Sequence, residues 1–145
     1  VGMALVARSD KLPFFTYVLL GDGELAEGSN WEAINSAAYY KLDTIIACVD
    51  FNRLGQTSET MYGHDFTRLA DQFKAFGWNV HCIDGHDMHA IVIALDSARA
   101  SCGSGKPTVI IAKTYKGYGL NNQIENQENV HGTIIPPEKL DYFLD

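Results

Sequence analysis

Short apolar segments alternate with helical patterns along this chain, and the alternation restricts the fold more than any other feature of the sequence. The apolar segments are residues 14–20, 44–49, 78–83 and 107–112, and the helical patterns are residues 27–40, 66–76 and 87–100. Strands that are apolar on both sides are typical of parallel sheets buried under helices. The sequence therefore predicts an α/β fold, a parallel sheet flanked by helices on both faces.

Each helical pattern carries apolar residues at spacings of three and four, which predicts one buried stripe per helix. The stripes are Trp31, Ile34 and Ala38; Phe66, Leu69, Phe73 and Phe76; and Met88, Ile91, Leu95 and Ala98. Gly77 follows the second helix in the usual C-terminal position. Residues 1–8 resemble the second half of a helix. Beyond Lys113 the pattern gives way to a long polar loop, and Pro136-Pro137 predicts the start of a short helix.

Length and composition favour one globular domain, residues 1–145, which we expect to be an incomplete piece of a longer chain. The net charge is −7 with no basic block, which argues against a nucleic-acid or anionic-membrane partner. No apolar run approaches the ~20 residues of a membrane helix. Three widely spaced cysteines, Cys48, Cys82 and Cys102, suggest reduced core thiols in a cytoplasmic protein.

The first apolar strand runs directly into the sequence Gly21-Asp22-Gly23-Glu24. Ligands of parallel α/β sheets bind beyond the carboxyl ends of the strands, so this segment is a candidate site. Glycines let the backbone approach a ligand closely, and free N–H groups at a helix start suit a phosphate. Asp22 could direct its carboxylate at a metal on that phosphate. Taken alone, however, the sequence is more often an ordinary Asp-Gly turn.

The end of the second strand supplies a matching residue, Asn52, 30 positions after Asp22. A strand–helix–strand unit takes about 30 residues, so both side chains are expected at the same edge of the sheet. A carboxylate and an amide oxygen are suitable ligands for Mg²⁺, which prefers oxygen donors. Alone, Asn52 would be a turn residue, but the pair at this spacing favours a metal–diphosphate site.

The words around this pair resemble the transketolase family of thiamine-diphosphate enzymes. They run in the same order through nearly the whole chain: GDGELAEGSNWEA, YYKLD, DFNRLGQT, FGWNVHCIDGHD, KPTVIIAKTYKGYG and NVHG. The resemblance implies the thiamine-diphosphate-binding fold, specifically its diphosphate-binding domain. It also implies Mg²⁺, with Ca²⁺ or another divalent ion as substitutes. The activity implied is transfer of a two-carbon ketol unit from a ketose phosphate to an aldose phosphate.

The resemblance assigns individual roles to residues of this chain. Asp22, Asn52 and the carbonyl of Leu54 resemble the metal ligands. Gly21, Gly23 and Glu24 lie where backbone groups of the family meet the diphosphate. Glu27 resembles a catalytic carboxylate linked to the partner subunit's active site. Lys116 resembles a lysine beside the cofactor and substrate channel, and His131 resembles a catalytic histidine near the reactive ring of the cofactor. The carboxylate that activates the pyrimidine ring would belong to another domain, in a homodimer or on a complementary subunit.

Several alternatives remain at this stage. Without the resemblance, Glu27, Lys116 and His131 would be surface residues, and His64, His81, His86 and His89 have no metal-ligand spacing. A deoxyxylulose-phosphate synthase and a 2-oxo-acid dehydrogenase alpha subunit share the two metal-binding residues, although the other words favour transketolase. A catalytically inactive fragment or paralogue is the non-enzyme alternative. A Rossmann dehydrogenase is disfavoured because no G-x-G-x-x-G follows the first strand.

Overall fold

The computed structural model describes residues 1–120, 124–135, 137–140 and 142. Its elements in chain order are α1 (Gly2–Ser9), β1 (Thr16–Gly21), a 3-10 helix (Asp22–Ala26), α2 (Gly28–Tyr39), β2 (Ile45–Phe51), α3 (Phe66–Ala75), β3 (Asn79–Asp84), α4 (Met88–Ala100), β4 (Thr108–Lys113) and a 3-10 turn (Pro137–Lys139). Every predicted strand and main helix is present, with ends shifted by at most about two residues. Pro136, the predicted start of the last helix, and residues 121–123 of the predicted loop lie outside the described residues.

The four strands form one parallel sheet in the order β1-β2-β4-β3. β2 therefore lies between β1 and β4. The register pairs Gly21, the last residue of β1, with Asp50, the next-to-last residue of β2, and it pairs Phe51 with Lys113, the last residues of β2 and β4. The segments that follow β1, β2 and β4 consequently begin side by side at one edge of the sheet, as the sequence predicted.

The two faces of the sheet bury different side chains, which alternate along each strand. Helices α1, α2 and α3 cover one face, where Phe73, Leu69 and Ile34 pack on the odd-numbered residues of β2 and β4. Helix α4 covers the other face, where Ala94 and Ala98 pack against Ile46 and Ile110. Helices on both faces confirm the predicted fold class.

Some predicted burial is wrong in detail. Met88, in the first turn of α4, is 70% exposed. Of the same predicted stripe, Ala98 is buried and Leu95 packs partly buried against the core, and Ala94, which was not predicted, is buried as well. Of the three free thiols, Cys48 is half-buried, whereas Cys82 and Cys102 are exposed. Cys82 lies on β3, which is an edge strand of the described sheet, and Cys102 lies in the turn after α4.

Local signals account for where the helices begin and end. The carboxylate of Asp65 accepts hydrogen bonds from the N–H groups of Thr67 and Arg68, and Asp87 caps α4 in the same way. After α3, Gly77 has a φ of 86°, a left-handed conformation that ends the helix. Among the described residues, no helix combines the length and apolarity needed to cross a membrane.

Gly85, which follows β3, packs against the end of β4 and donates its N–H to the carbonyl of Lys113. A methyl group at this position would lie 2.4 Å from Cγ2 of Thr114 and 2.9 Å from the carbonyl oxygen of Lys113. We therefore expect Gly85→Ala to lower the free energy of unfolding by about 1–3 kcal/mol, as overpacking does. Urea denaturation measures this change. The control is Gly28→Ala, where an added methyl group would meet no atom of the described residues within 4 Å apart from its chain neighbours and its own helix backbone. An equal loss in both variants would contradict the prediction.

Candidate functional site

An open pocket of about 610 Å³ lies at the carboxyl ends of β1 and β2. The residues that line it are Gly21, Asp22, Gly23, Glu24, Glu27, Asp50, Asn52, Leu54, Gly55, Gln56, Lys116 and His131. All nine residues that the sequence analysis singled out are among them. The structure thus brings the candidate residues together, while the roles assigned to them stay predictions.

Asp22 is the most buried acid of the pocket, with 2% of its surface exposed. It is the first residue after β1, and its Oδ2 accepts a hydrogen bond from the backbone N–H of Arg53 at 2.6 Å. The hydroxyl of Thr60 donates to the same oxygen at 3.0 Å. The Asp22 side chain therefore ties the end of β1 to the loop that follows β2.

The surroundings of Asp22 raise the pKa of its carboxyl group above the ordinary value of 3.8. Burial is the main cause, and the charge of Asp50 adds to it, while hydrogen bonds from Arg53, Thr60 and Gly23 act in the opposite direction. A buried carboxylate beside a second acid is costly unless a cation compensates it. The site is therefore suited to a divalent cation.

The Asn52 side chain is buried at the end of β2 and has a fixed orientation. Its Nδ2 donates to Oδ2 of Asp50 at 3.0 Å, and its Oδ1 accepts from the N–H of Leu54 at 2.9 Å. Asp50 is held in turn by the hydroxyl of Thr114, which follows β4. Because an amide oxygen has two lone pairs, Oδ1 of Asn52 retains one for a metal.

The loop after Asn52 closes back on itself. Leu54 forms an antiparallel bridge with Glu59, and the N–H of Thr60 donates to the carbonyl of Arg53 at 2.7 Å. The carbonyl oxygen of Leu54, the third predicted metal ligand, lies 3.5 Å from Nζ of Lys116. A positive group therefore already faces this oxygen.

The segment after β1 forms a short 3-10 helix, Asp22–Ala26, ahead of α2. The carboxylate of Glu24 accepts the N–H of Gly21 at 2.5 Å, which stabilises the first turn. First-turn N–H groups of a helix lack partners within the helix. Glu24 carries such a group at the wall of the pocket, which is compatible with a bound phosphate, whereas the N–H of Gly23 already bonds to the Asp22 carboxylate.

Lys116 and His131 line the same pocket and contact each other. Nζ of Lys116 is 3.1 Å from Nδ1 of His131. An ammonium group can only donate, so Nδ1 accepts, and the neutral imidazole of this pair carries its proton on Nε2. The exposed imidazole of His131 is therefore oriented by Lys116.

Two histidines that the sequence analysis set aside support the segment carrying Lys116. Nε2 of His86 accepts the N–H of Tyr115 at 2.9 Å, and its ring stacks on Tyr118 with centroids 3.6 Å apart. The His64 ring meets the edge of Tyr115. Burial, followed by the charge of Lys113, lowers the pKa of His64.

Glu27 is exposed at the N-terminus of α2, and its side chain makes no capping hydrogen bond. Its own N–H donates to the carbonyl of Glu24 at 3.0 Å, so the 3-10 helix holds its backbone at the rim of the pocket. A free carboxylate here is accessible from outside the described chain.

The donor set fits a magnesium ion better than a transition metal. Among the described residues, no cluster of three or more His, Cys, Asp or Glu side chains could hold a metal. The predicted set instead combines a carboxylate, an amide oxygen and a main-chain carbonyl, which are the hard oxygen ligands that Mg²⁺ prefers. The raised pKa of Asp22 is consistent with that fit.

Several residues of the site were not predicted from the sequence. Asp50 could have been recognised, because residues two apart on a strand share a face and Asp50 precedes Asn52 by two. Nothing in the sequence indicated that Arg53, Thr60 and Thr114 would contact Asp22 and Asp50, since these contacts depend on how the loops close.

Comparison with known proteins adds to the geometry. Residues 7–142 match the family model described as transketolase, thiamine diphosphate binding domain. The chain is 45% identical to transketolase-like protein 2 of Bos taurus and 41% identical to human transketolase, over 144 residues in both cases. Each alignment covers 99% of this chain and 22% of the relative, so the chain spans about a fifth of their length.

Solved structures give the same result. A transketolase from Campylobacter jejuni is similar with a TM-score of 0.75 and 34% identity, over 87% of this chain and 20% of that one. A transketolase from Pichia stipitis in complex with sedoheptulose 7-phosphate has a TM-score of 0.67 and 31% identity, over 77% of this chain and 16% of that one.

Proposed function

Because the chain belongs to the transketolase family through its thiamine-diphosphate-binding domain, we propose that it forms the diphosphate-binding domain of a transketolase. The proposed reaction is Mg²⁺-dependent transfer of a two-carbon ketol unit from a ketose phosphate to an aldose phosphate. One observation carries the proposal: Asp22 and Asn52, from the ends of adjacent strands, line the same pocket as Lys116 and His131.

In this proposal the bound cofactor supplies the carbanion chemistry that cleaves and forms carbon–carbon bonds. Asp22, Asn52 and the Leu54 carbonyl hold the metal. The N–H group of Glu24 binds the diphosphate, with Gly21 and Gly23 allowing a close approach. Fixing the diphosphate presents the reactive ring in one geometry.

Lys116 and His131 would act on protons and substrate charge. His131 carries a proton on Nε2 when Nδ1 accepts from Lys116, so it can donate to a developing oxyanion. The ammonium of Lys116 adds positive charge for an anionic sugar phosphate. The Pichia stipitis relative was solved with sedoheptulose 7-phosphate, and we propose sugar phosphates of this kind as substrates.

Partners and location follow as further parts of the proposal. The pyrimidine ring would be bound by another domain, in a homodimer or on a complementary subunit, with Glu27 facing that partner. The exposed Glu27 carboxylate, which has no capping role, supports this assignment. We propose a cytoplasmic location, in keeping with three unpaired cysteines.

Calorimetric titration tests the cofactor assignment. Thiamine diphosphate is expected to bind in the presence of Mg²⁺ and to lose binding in excess EDTA, whereas thiamine itself binds weakly in both. The physical reason is that the metal and the diphosphate oxygens share one coordination sphere. The titration is carried out on the 145 residues combined with a pyrimidine-binding segment. Equal affinity for thiamine and its diphosphate would contradict the proposal.

The alternative to an active transketolase is a catalytically inactive paralogue. Identity to a transketolase-like protein is as high as identity to transketolase itself, so sequence similarity does not separate the two. Cofactor binding without turnover of any ketose phosphate would favour the inactive paralogue.

A further inference from the structure

Arg53 has an unusual position between the metal-ligand candidates Asn52 and Leu54. Its N–H donates to Asp22, and its carbonyl accepts from Thr60, so both backbone polar groups of Arg53 are hydrogen-bonded. Its φ of 64° lies in the left-handed region, which is uncommon for a residue other than glycine. The fold therefore holds Arg53 in a conformation that its residue type does not favour.

The guanidinium of Arg53 reaches a distant segment of the chain. Nε donates to Oδ1 of Asn126 at 2.9 Å, and a terminal nitrogen donates to the carbonyl oxygen of Asn126 at 2.8 Å. The other terminal nitrogen forms an ion pair with Glu59. The Arg53 side chain is only 19% exposed. Three separate donors in a rigid fork are needed for this set, which a lysine cannot supply.

Asn126 passes this contact on to the pocket wall. Its N–H donates to the carbonyl of Lys116 at 2.8 Å. The same region is closely packed, because a Cβ on Gly117 would lie 2.9 Å from a methyl group of Ile124. Arg53, Asn126 and Lys116 thus form a continuous series of contacts that leads to His131.

We propose that Arg53 is a positioning residue, which by binding Asn126 holds Lys116 and His131 in the pocket that Asp22 and Asn52 also line. The importance of that placement for catalysis rests on the proposed function. The contacts themselves do not, since they involve only groups of this chain. We call residues 114–120 and 124–131 the wall segments, because Lys116 and His131 belong to them.

Two simpler readings compete with this proposal. The pair with Glu59 alone would be a surface ion pair, which contributes little to structure. It does not explain why two donors of Arg53 bind Asn126 on another segment. Alternatively, the left-handed backbone at Arg53 could shape the loop without help from the side chain. A variant that keeps the backbone and removes the guanidinium separates these readings.

Arg53→Asn is that variant, because asparagine tolerates the left-handed region. In hydrogen–deuterium exchange of the 145-residue chain without cofactor, we expect amides of the wall segments to exchange at least about tenfold faster. Amides of α2 should be unaffected. The matched control is Arg68→Ala, an exposed arginine on α3 whose side chain donates to the carbonyl of Met61 and lies over the ring of Tyr62. Unchanged exchange of the wall segments in Arg53→Asn would overturn the proposal.

Asn126→Gly provides a second test of the same contact, because glycine accepts the φ of 58° at this position and lacks Oδ1. If the two residues act through each other, Arg53→Asn combined with Asn126→Gly should exchange no faster than Arg53→Asn alone. Additive acceleration would mean that Arg53 does not act through Asn126 and would overturn the proposed route.

The catalytic consequence is measured on the assembled enzyme. Because the N–H of residue 53 still donates to Asp22, the affinity for thiamine diphosphate with Mg²⁺ should change by no more than about threefold. Misplacement of Lys116 and His131 should lower kcat about 10- to 100-fold, with partial recovery in Arg53→Lys. An equal loss of cofactor affinity would place Arg53 in the metal loop instead. If the wild type binds no cofactor, the proposed function fails, and the exchange experiment still decides the positioning role.

Discussion

Asp22→Asn is expected to lower the affinity for thiamine diphosphate and Mg²⁺ at least about 100-fold, although the chain remains folded. The substitution keeps the shape of the side chain and removes the only carboxylate among the three metal-ligand candidates. Loss of a group that merely supports a metal ligand costs about 10- to 100-fold, so loss of the charged ligand itself should cost no less. Calorimetry with Mg²⁺ present measures the change.

The same variant has an expected effect on stability with a definite sign. Burial and the charge of Asp50 raise the pKa of Asp22 in the folded chain above 3.8. The folded state therefore holds this proton more tightly than the unfolded state. Its contribution to stability is complete below pH 3.8 and is lost as the pH rises through the raised pKa. Without metal, the wild type should lose stability relative to Asp22→Asn between acid and neutral pH.

Urea denaturation of the metal-free chain at several pH values checks this expectation. Asp71→Asn is the matched control, since it removes one negative charge from an exposed position on α3. A stability difference independent of pH would contradict the role of burial at Asp22. A melting temperature lower by more than about 8 °C would mean that the fold needs the carboxylate itself.

The hydrogen bonds of Asp22 and Asn52 make asparagine at position 22 a clearer test than alanine at either position. Alanine at position 22 would leave the N–H of Arg53 and the hydroxyl of Thr60 without their acceptor. Alanine at position 52 would do the same to the N–H of Leu54. Unsatisfied buried groups cost about 1–3 kcal/mol each. Loss of binding in alanine variants would therefore mix loss of a ligand with loss of loop structure, whereas asparagine at position 22 isolates the charge.

The sequence was sufficient to predict the fold and the position of the pocket because both depend on short-range patterns. The apolar strands determine a parallel sheet, and the spacing between Asp22 and Asn52 places both residues at one edge. The packing of Phe73 and Leu69 likewise follows from helical spacing. Met88 shows the limit, because the same spacing includes a residue of the first turn of α4 that is exposed.

The contacts that organise the pocket could not be predicted in the same way. Arg53 meets a residue 73 positions away in Asn126, and Asp50 meets one 64 positions away in Thr114. Such pairs depend on how separate loops close over the sheet edge, and no periodic pattern specifies that closure. The resemblance to transketolases supplied Lys116 and His131, which the residues alone would have left as surface groups.

We expect these 145 residues in isolation to show no turnover of sugar phosphates. In the proposed enzyme a carboxylate of another domain activates the pyrimidine ring, and this kind of proton transfer contributes about 10²- to 10⁴-fold. The proposed diphosphate anchor of Asp22, Asn52 and Leu54 would not replace it. An assay with xylulose 5-phosphate and ribose 5-phosphate, carried out with and without the pyrimidine-binding segment, measures the difference. Turnover by the isolated chain, as a monomer on a sizing column, would refute this expectation.

Glu27→Gln tests the proposed link to that second domain. The Glu27 side chain is exposed and makes no capping hydrogen bond, so the substitution should not change the melting temperature. If the carboxylate belongs to the proton network between subunits, the assembled enzyme should lose about 10²-fold or more in kcat while its cofactor affinity is retained. Glu32→Gln, an exposed acid on the same helix, is the matched control and should leave kcat unchanged. Equal activity of the two variants would remove Glu27 from the catalytic machinery and leave it a surface residue at the start of α2.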